Sequence, residues 1–455
     1  MTEAFPTAAL VSQRPAPAAP RPYTFPPVLR LDAGGGQVVA AHLPGQALAV
    51  AALLLDAGAG REPAELAGVA AVVAKAIEEG TARRDATGFA LALEGLGAQL
   101  FTALDWDALR VGVQAPVDRL APAVALLAEA VRTPALAGDD VRRVRDDEAT
   151  ALRMEWASPG PRADAALRAA LFPAGHRIGR PLYGDPASVA ALQVEQITGF
   201  HAERLRPPGV LLVAGDLDRL DLAALGAAAF ADAAGEPAAP AAPLPLVPSA
   251  ARRILLVDRP GSVQSTLRVG HLAPHRAHPD HVPLSLAGVV LGGAFTSRLN
   301  HLIREVRGYT YGIRGEFAAR RRFGRFTVSS AVQTAVTAPA LVDTVAEIAR
   351  TQAEGVTEEE LAVARSYRAG QLTVEMQTPD AIAAALATLV VHGLPDDHYP
   401  RLREQLLGAS VAEVSRAAGA HLHPDGLVLV VEGDAAAVRA ELAATGLGEV
   451  QPVVL

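Results

Sequence analysis

The chain has 455 residues, a formal net charge of −8, half of its residues hydrophobic, and no cysteine. That length suggests roughly two to three domains of ordinary size. The missing cysteines exclude a disulfide scaffold, thiolate metal sites, Fe–S ligation and a cysteine nucleophile, and the negative balance argues against a phosphate-backbone partner.

Taken in chain order, the N-terminus (MTEAFPTAALVSQRPAPAAP) has no basic stretch leading into an apolar one, so no secretory signal is expected. No window reaches about 18 uninterrupted apolar residues, so no membrane span is expected either. The expectation is a soluble cytoplasmic protein. Residues 1–24 read as a disordered Pro/Ala-rich tail that becomes ordered near Tyr23 or Phe25.

A strand pair follows, LRLDAGGGQVVAAHL then LAVAALLLDAG. Leu66, Val69, Val73 and Ile77 form one stripe at helical spacing and predict a helix over 63–79. A second helix is predicted over 85–96, a strand pair over 97–115, and further helices over 118–131 and 139–156. RPPGVLLVAGD then supplies a short apolar strand, Val210 to Ala214, ahead of Gly215. Residues 235–250 hold five prolines, a density incompatible with helix or interior strand, and so read as a semi-rigid linker.

Beyond the linker the pattern repeats. RRILLVDRPG and VQSTLRVGH open the second block, and HPDGLVLVVEGD closes it, with Gly433 lying 218 residues after Gly215. This predicts two tandem copies of a mixed α+β unit, 25–234 and 251–455. Between them LNHLIREV sets Leu299, Leu302, Ile303 and Val306 on one helical face, Gly308 ends that helix, and a hairpin follows.

At this point the residues resemble a known family. GGAFTSRLNHLIREVRGYTYGIRGEF (292–317) is similar to the C-terminal-domain signature of the insulinase/pitrilysin-like M16 metallopeptidases. HRIGRPLYGDPASVAAL (176–192) and RPGSVQSTLRVGH (259–271) are similar to other segments of that family. The resemblance implies two homologous domains of the M16 (LuxS/metallohydrolase-like) type, each a mainly antiparallel sheet backed by helices. It also implies an M16B-type chain, two of which enclose a chamber.

Active family members carry His-x-x-Glu-His on the first long helix, where both histidines reach one zinc and the glutamate acts as base. Counting back from Gly80-Thr81, those positions hold Ala71, Ala74 and Lys75. Taking Leu66 as zero, they fall at about 140°, 80° and 180°, away from the apolar stripe. Ala151 stands near the third-ligand position, with Glu148 one turn away. The motif occurs nowhere in the chain, so no zinc is expected in it. Lys75, the single lysine, reads either as a charge substitute for the metal or as an ordinary exposed lysine.

The resemblance carries over the other half of a site. The family's C-terminal arginine and tyrosine match Arg304 and Tyr311, the seven-residue step favouring Tyr311 over Tyr309. Gly292, Gly293 and Phe295 are the accompanying candidates for substrate contact, the glycines reading equally as a tight turn. Arg298 reads as structural, His271, His275, His278 and His281 as a solvated loop, His176 as structural, and Arg320–Arg322 with Arg325 as a hairpin-tip patch.

The expected function is a non-zinc-binding subunit of a heterodimeric M16B-type peptidase. Its partner is a homologous subunit bearing the motif and the zinc, and its substrates are short unfolded peptides, leader peptides of ribosomally made natural products among them. The rival is a non-catalytic scaffold or peptide-binding protein like the core-type inactive relatives. A weaker third option is an independent enzyme using the 271–281 histidines.

Overall fold

The computed structural model describes residues 23–236, 242–246, 249 and 251–454. Nearly all of the 1–24 tail lies outside the described residues. At its end the Tyr23 hydroxyl donates to the Met376 carbonyl at 3.0 Å, and just beyond it the Phe25 ring sits 4.7 Å from that of Tyr399.

Two six-stranded sheets carry the chain. In the first, β1 (Val28–Ala33), β2 (Gly36–His42), β3 (Leu48–Leu55), β4 (Gln99–Leu104), β5 (Leu109–Pro116) and β6 (Val210–Gly215) take the order β1-β2-β6-β3-β5-β4. In the second, β7 (Arg253–Asp258), β8 (Gln264–Ala273), β9 (Ile313–Ala319), β10 (Gly324–Gln333), β11 (Val428–Gly433) and β12 (Glu449–Val453) take the order β12-β7-β11-β8-β10-β9. Five strands therefore correspond one to one, β2 to β7 through β6 to β11, and the predicted duplication is the architecture. Most pairings are antiparallel, with β2–β6, β7–β11 and β7–β12 parallel.

Two details differ from the sequence reading. The opening strand pair is not adjacent: β6 inserts between β2 and β3, because the apolar run at 210–215 is a central strand that needs a partner on both sides. The first stretch is itself a hairpin, Ala33 facing Gly36 across Gly34 and Gly35, whose φ values of +62° and +88° suit glycine. Among the described residues the second sheet has no such hairpin, and its outer strand is β12, parallel to β7.

The halves are interlocked by an exchange of helices. Helix Pro161–Leu171, from the first half, lies on β7, β8 and β11 and packs Ala163, Ala166 and Leu167 against Leu255, Val257, Val428 and Val430. Helix Pro379–His392, from the second, lies on β2, β3 and β6, and shares one apolar core with Val39, Val50 and Leu212. The Arg320–Arg322 run does sit at a hairpin tip, but that tip is pressed against the other half. Arg320 pairs with Asp105 at 2.7 Å, the Arg321 amide donates to Asp107, and Arg322 reaches the carbonyls of Gly60 and Ala242. The partner is the equivalent β4–β5 tip, whose Trp106 meets Phe323 edge to face. Acidic tip against basic tip sets how the two copies face one another.

The histidines of 271–281 are not all in the expected solvated loop, because His271 lies on β8. His271 is 1% exposed in the core, its Nδ1 donating to the Leu272 carbonyl and its Nε2 accepting from the His423 amide. Burial holds its ring down to about 4. A depressed histidine is neutral in the native state, so its contribution is complete above about pH 6.5 and is lost as the pH falls toward 4, about 3 kcal/mol in all. Denaturant titrations from pH 7 to pH 4 should show this loss, and His271→Gln should flatten that limb relative to the parent.

No single helix among the described residues is long and apolar enough to cross a membrane. The bent pair Glu358–Glu375 and Pro379–His392, 115° apart, passes by length and composition together, but the second member is the helix seated on the first sheet.

Candidate functional site

The helix where zinc ligands would stand runs over Val69–Ala76, shorter than predicted. The chain first makes a 3₁₀ turn at Ala64–Leu66, then turns through Gly68 at φ +100°, where a Cβ would strike Val189 and the Tyr183 carbonyl. The helix start is tied down by Glu62, whose carboxylate accepts from the amides of Gly68 and Ala70, both at 2.9 Å. Arg177 pairs with the same carboxylate at 2.5 Å and donates to the carbonyls of Pro181 and Leu182. Burial raises the Glu62 carboxyl and lowers Arg177; the attraction between them opposes both shifts, and the two amides oppose that of Glu62. This buried pair was missed in the sequence, where Arg177 was one arginine within a family-like segment. Its neighbour His176 is structural as expected, Nδ1 accepting from the Ile178 amide.

Val69, Val73 and Ile77 are buried as their spacing predicts. Ala71 and Ala74 are also nearly covered, 8% and 4% exposed, because helices Gly138–Ala157 and Val194–Arg204 close over this side. Lys75 is exposed, as is Ala151, while Glu148 is half-buried. Two methyl groups and an ammonium supply no lone pair to a cation, so these residues do not fit a zinc ion. Among the described residues, the clusters with metal-like spacing lie elsewhere, at His278, Asp280 and His421 and at His42, Asp216 and Asp218.

On the second half Arg304 meets Phe295, and Asn300 ties that segment to the one carrying Tyr311. Asn300–Val306 winds as a π-helix, with Arg307 bonded back to Leu302. The wider turn explains one departure from the predicted face: Leu299 and Ile303 are buried and Leu302 partly so, but Val306 is 61% exposed. Single π-turns recur at functional sites. Here the turn leaves Arg304 half-exposed with its guanidinium 4.3 Å above the Phe295 ring, which is itself 69% exposed. That contact supports the arginine, whose Nε also lies 3.6 Å from the Glu305 carboxylate, and the other guanidinium N–H groups are left for an anion or carbonyl.

Tyr311 is 97% exposed, and its hydroxyl has no partner among the described residues, whereas Tyr309 packs on the core. The turn that presents Tyr311 is pinned by the Thr310 hydroxyl, which donates to the Ala331 carbonyl at 2.7 Å and accepts from the Gly312 amide. Asn300, unnoticed in the sequence, joins the two arms. Its Nδ2 donates to the carbonyls of Ala294 and Ile313, next to Phe295 on one side and two residues past Tyr311 on the other. A buried amide inside an apolar helical pattern was the signal available.

Gly292 packs against β9, where a Cβ would lie 2.4 Å from the Gly315 nitrogen, so its bareness serves that contact; Gly293 borders a cleft beside Arg314 and Tyr367. Arg298 is structural as expected, bidentate to Glu360 at 2.7 Å.

Two six-stranded sheets interlocked by helices, with an arginine and a tyrosine displayed on the second, define a duplicated peptidase-type fold. Family descriptions match both halves: "Insulinase (Peptidase family M16)" over residues 37–185, and "Peptidase M16 inactive domain" over residues 191–367. The chain belongs to the M16 family and is built from two M16-type domains. It is 29% identical over 367 residues to an uncharacterized zinc protease of Mycobacterium tuberculosis, covering 79% of this chain and 81% of that one. An uncharacterized zinc protease of Streptomyces coelicolor is 24% identical over 388 residues, 83% and 75% of the two chains. Among solved structures, an M16 inactive-domain protein from Pseudomonas fluorescens aligns with a TM-score of 0.83 at 26% identity, covering 90% of this chain and 98% of its own. A Helicobacter pylori protease, at 17% identity and a TM-score of 0.78 over 90% and 100% of the two chains, shares the fold.

Proposed function

We propose that this chain is the non-zinc-binding subunit of an M16B-type heterodimer that cleaves short unfolded peptides, leader peptides of ribosomally made products among its substrates. One contrast carries the reading. Positions 71, 74 and 75 hold alanine, alanine and lysine, yet Arg304 lies partly exposed over the Phe295 ring, and Tyr311, seven residues on, is exposed with its hydroxyl unpaired among the described residues. A scaffold has no need of an exposed, supported arginine and a free phenol.

In this arrangement the partner supplies the His-x-x-Glu-His set and its zinc, which activates water when bound. This chain's residues act on the peptide. The Arg304 guanidinium grips a substrate carbonyl or carboxylate, and the Tyr311 hydroxyl donates to the oxygen that gains charge as the carbonyl is attacked. Asn300 holds both segments so that neither donor has to be ordered at the moment of reaction. Among the described residues strand β4 pairs only with β5, and its unpaired outer edge beside helix Val69–Ala76 supports addition of an extended peptide even on the side without a metal.

Co-expression with a homologous subunit bearing the motif tests this. The two chains should elute together and cleave an unstructured peptide in a chelator-sensitive way, while this chain alone is inactive. Chelator-sensitive cleavage by the purified single chain, or no association with such a subunit, overturns the reading.

A further inference from the structure

A cavity of about 510 Å³, lined by neither Arg304 nor Tyr311, lies where the two halves meet along the Pro243–Leu246 stretch. Phe172, Leu244, Leu272 and Phe323 supply an apolar wall, and His275, His278 and His421 supply its polar part. A concave, mostly apolar space of this size with a few convergent polar groups has the form of a small-molecule site.

The hydrogen bonds around the imidazoles decide what the polar part offers. The Ala277 amide donates to His275 Nδ1 at 3.3 Å, and the Asp280 amide donates to His278 Nδ1 at 3.1 Å. A ring nitrogen that accepts carries no proton, so the tautomer these bonds select has its N–H at Nε2 in each ring. His421 spends its Nε2 on Asp280 at 2.9 Å, and Arg416 holds the other oxygen of that carboxylate at 2.6 Å. Asp280 is thus already satisfied by two donors. For the same reason the His278, Asp280 and His421 cluster is a poor cation site: one ring nitrogen is committed to a backbone amide and the carboxylate to a guanidinium. What remains is a pair of N–H donors, His275 and His278, bordering hydrocarbon.

We propose that this cavity binds an amphipathic monocarboxylate, its alkyl or aryl tail against Phe172, Leu272 and Phe323 and its carboxylate on the Nε2–H groups of His275 and His278. The volume is about three times the roughly 150 Å³ that holds a benzene molecule, so a chain of about eight to twelve carbons fits. The two-oxygen head matches two donors, which a single hydroxyl does not.

Calorimetric titration of the full chain with octanoate and with 1-octanol at one pH tests this, with the fluorescence of Trp106, 5.9 Å from Phe323, as a second readout. Octanoate should bind one to one, at least tenfold more tightly than octanol, and quench or shift Trp106. His275→Ala and His278→Ala should each weaken octanoate about tenfold and leave octanol unchanged. His275 lies outside the Asp280–Arg416 pair, so its variant separates lost recognition from a disturbed fold. Leu246→Trp, at a position 42% exposed, should fill the cavity and abolish both. Equal affinities for the two ligands, unaltered octanoate binding in both histidine variants, or no binding of octanoate at all overturns the proposal.

Discussion

Tyr311→Phe in the proposed two-chain enzyme should lower kcat by about 10² to 10³, with KM nearly unchanged. Removing one preorganised donor to a developing oxyanion costs about 3–4 kcal/mol of barrier, and it is lost from the transition state, where the charge appears, more than from the bound peptide. The side chain is 97% exposed with a free hydroxyl, so the same substitution should leave the melting temperature of the isolated chain where it was. Arg304→Ala should act differently and raise KM, since a guanidinium that holds substrate binds it before and during reaction alike. Arg304→Lys should recover only part, because the stacked planar fork over Phe295 is not reproduced by an ammonium. Unchanged turnover in both variants would leave the pair as surface residues and favour the scaffold reading.

How much of this could be read from the amino acids differs by element. The duplication was legible because the same order of apolar strands recurs on either side of a proline-dense stretch, and β6 and β11 both end at a Gly-Asp step. Strand adjacency was not, since a central strand looks the same whichever neighbours it has. The interlock was hidden for a related reason. Helices Pro161–Leu171 and Pro379–His392 each show an apolar side, but nothing local says that the side belongs to the other half's sheet.

At the site, residue identity carried more than periodicity did. Ala71, Ala74 and Lys75 are informative through what they cannot do, and that needs only their chemistry. The face they occupy was expected to be open, and is instead mostly covered, because burial depends on where helices Gly138–Ala157 and Val194–Arg204 fall. The Leu299–Val306 stripe was read at 3.6 residues per turn, and the π-winding moves its last member to solvent. Asn300 and the Glu62–Arg177 pair were passed over because their partners are backbone groups or lie 115 residues away.

That pair is also where the frame should prove most fragile. Arg177→Ala should cost about 3–5 kcal/mol of folding stability, because it strands a carboxylate that is itself fully covered. Two amides at 2.9 Å remain to it, too few to replace the guanidinium, and the 69–76 helix loses the fixed acceptor at its start. Trp106 loses a cation 5.1 Å from its ring at the same time, loosening the contact between the two hairpin tips. Burial already raises the Glu62 carboxyl, and without Arg177 nothing opposes that shift but the amides. A raised carboxyl binds its proton more tightly in the folded state, so the penalty is smallest at acid pH and grows as the pH rises above the ordinary range near 4.3. The stability difference between parent and variant, measured by denaturant titration, should therefore narrow from pH 8 to pH 5. Glu62→Met with Arg177→Met should recover only part of the loss, since it leaves no buried charge without a partner but strips the Gly68 and Ala70 amides of their acceptor. A pH-independent difference, or a double variant no better than Arg177→Ala, would mean that packing around Trp106, and not the stranded charge, sets the cost.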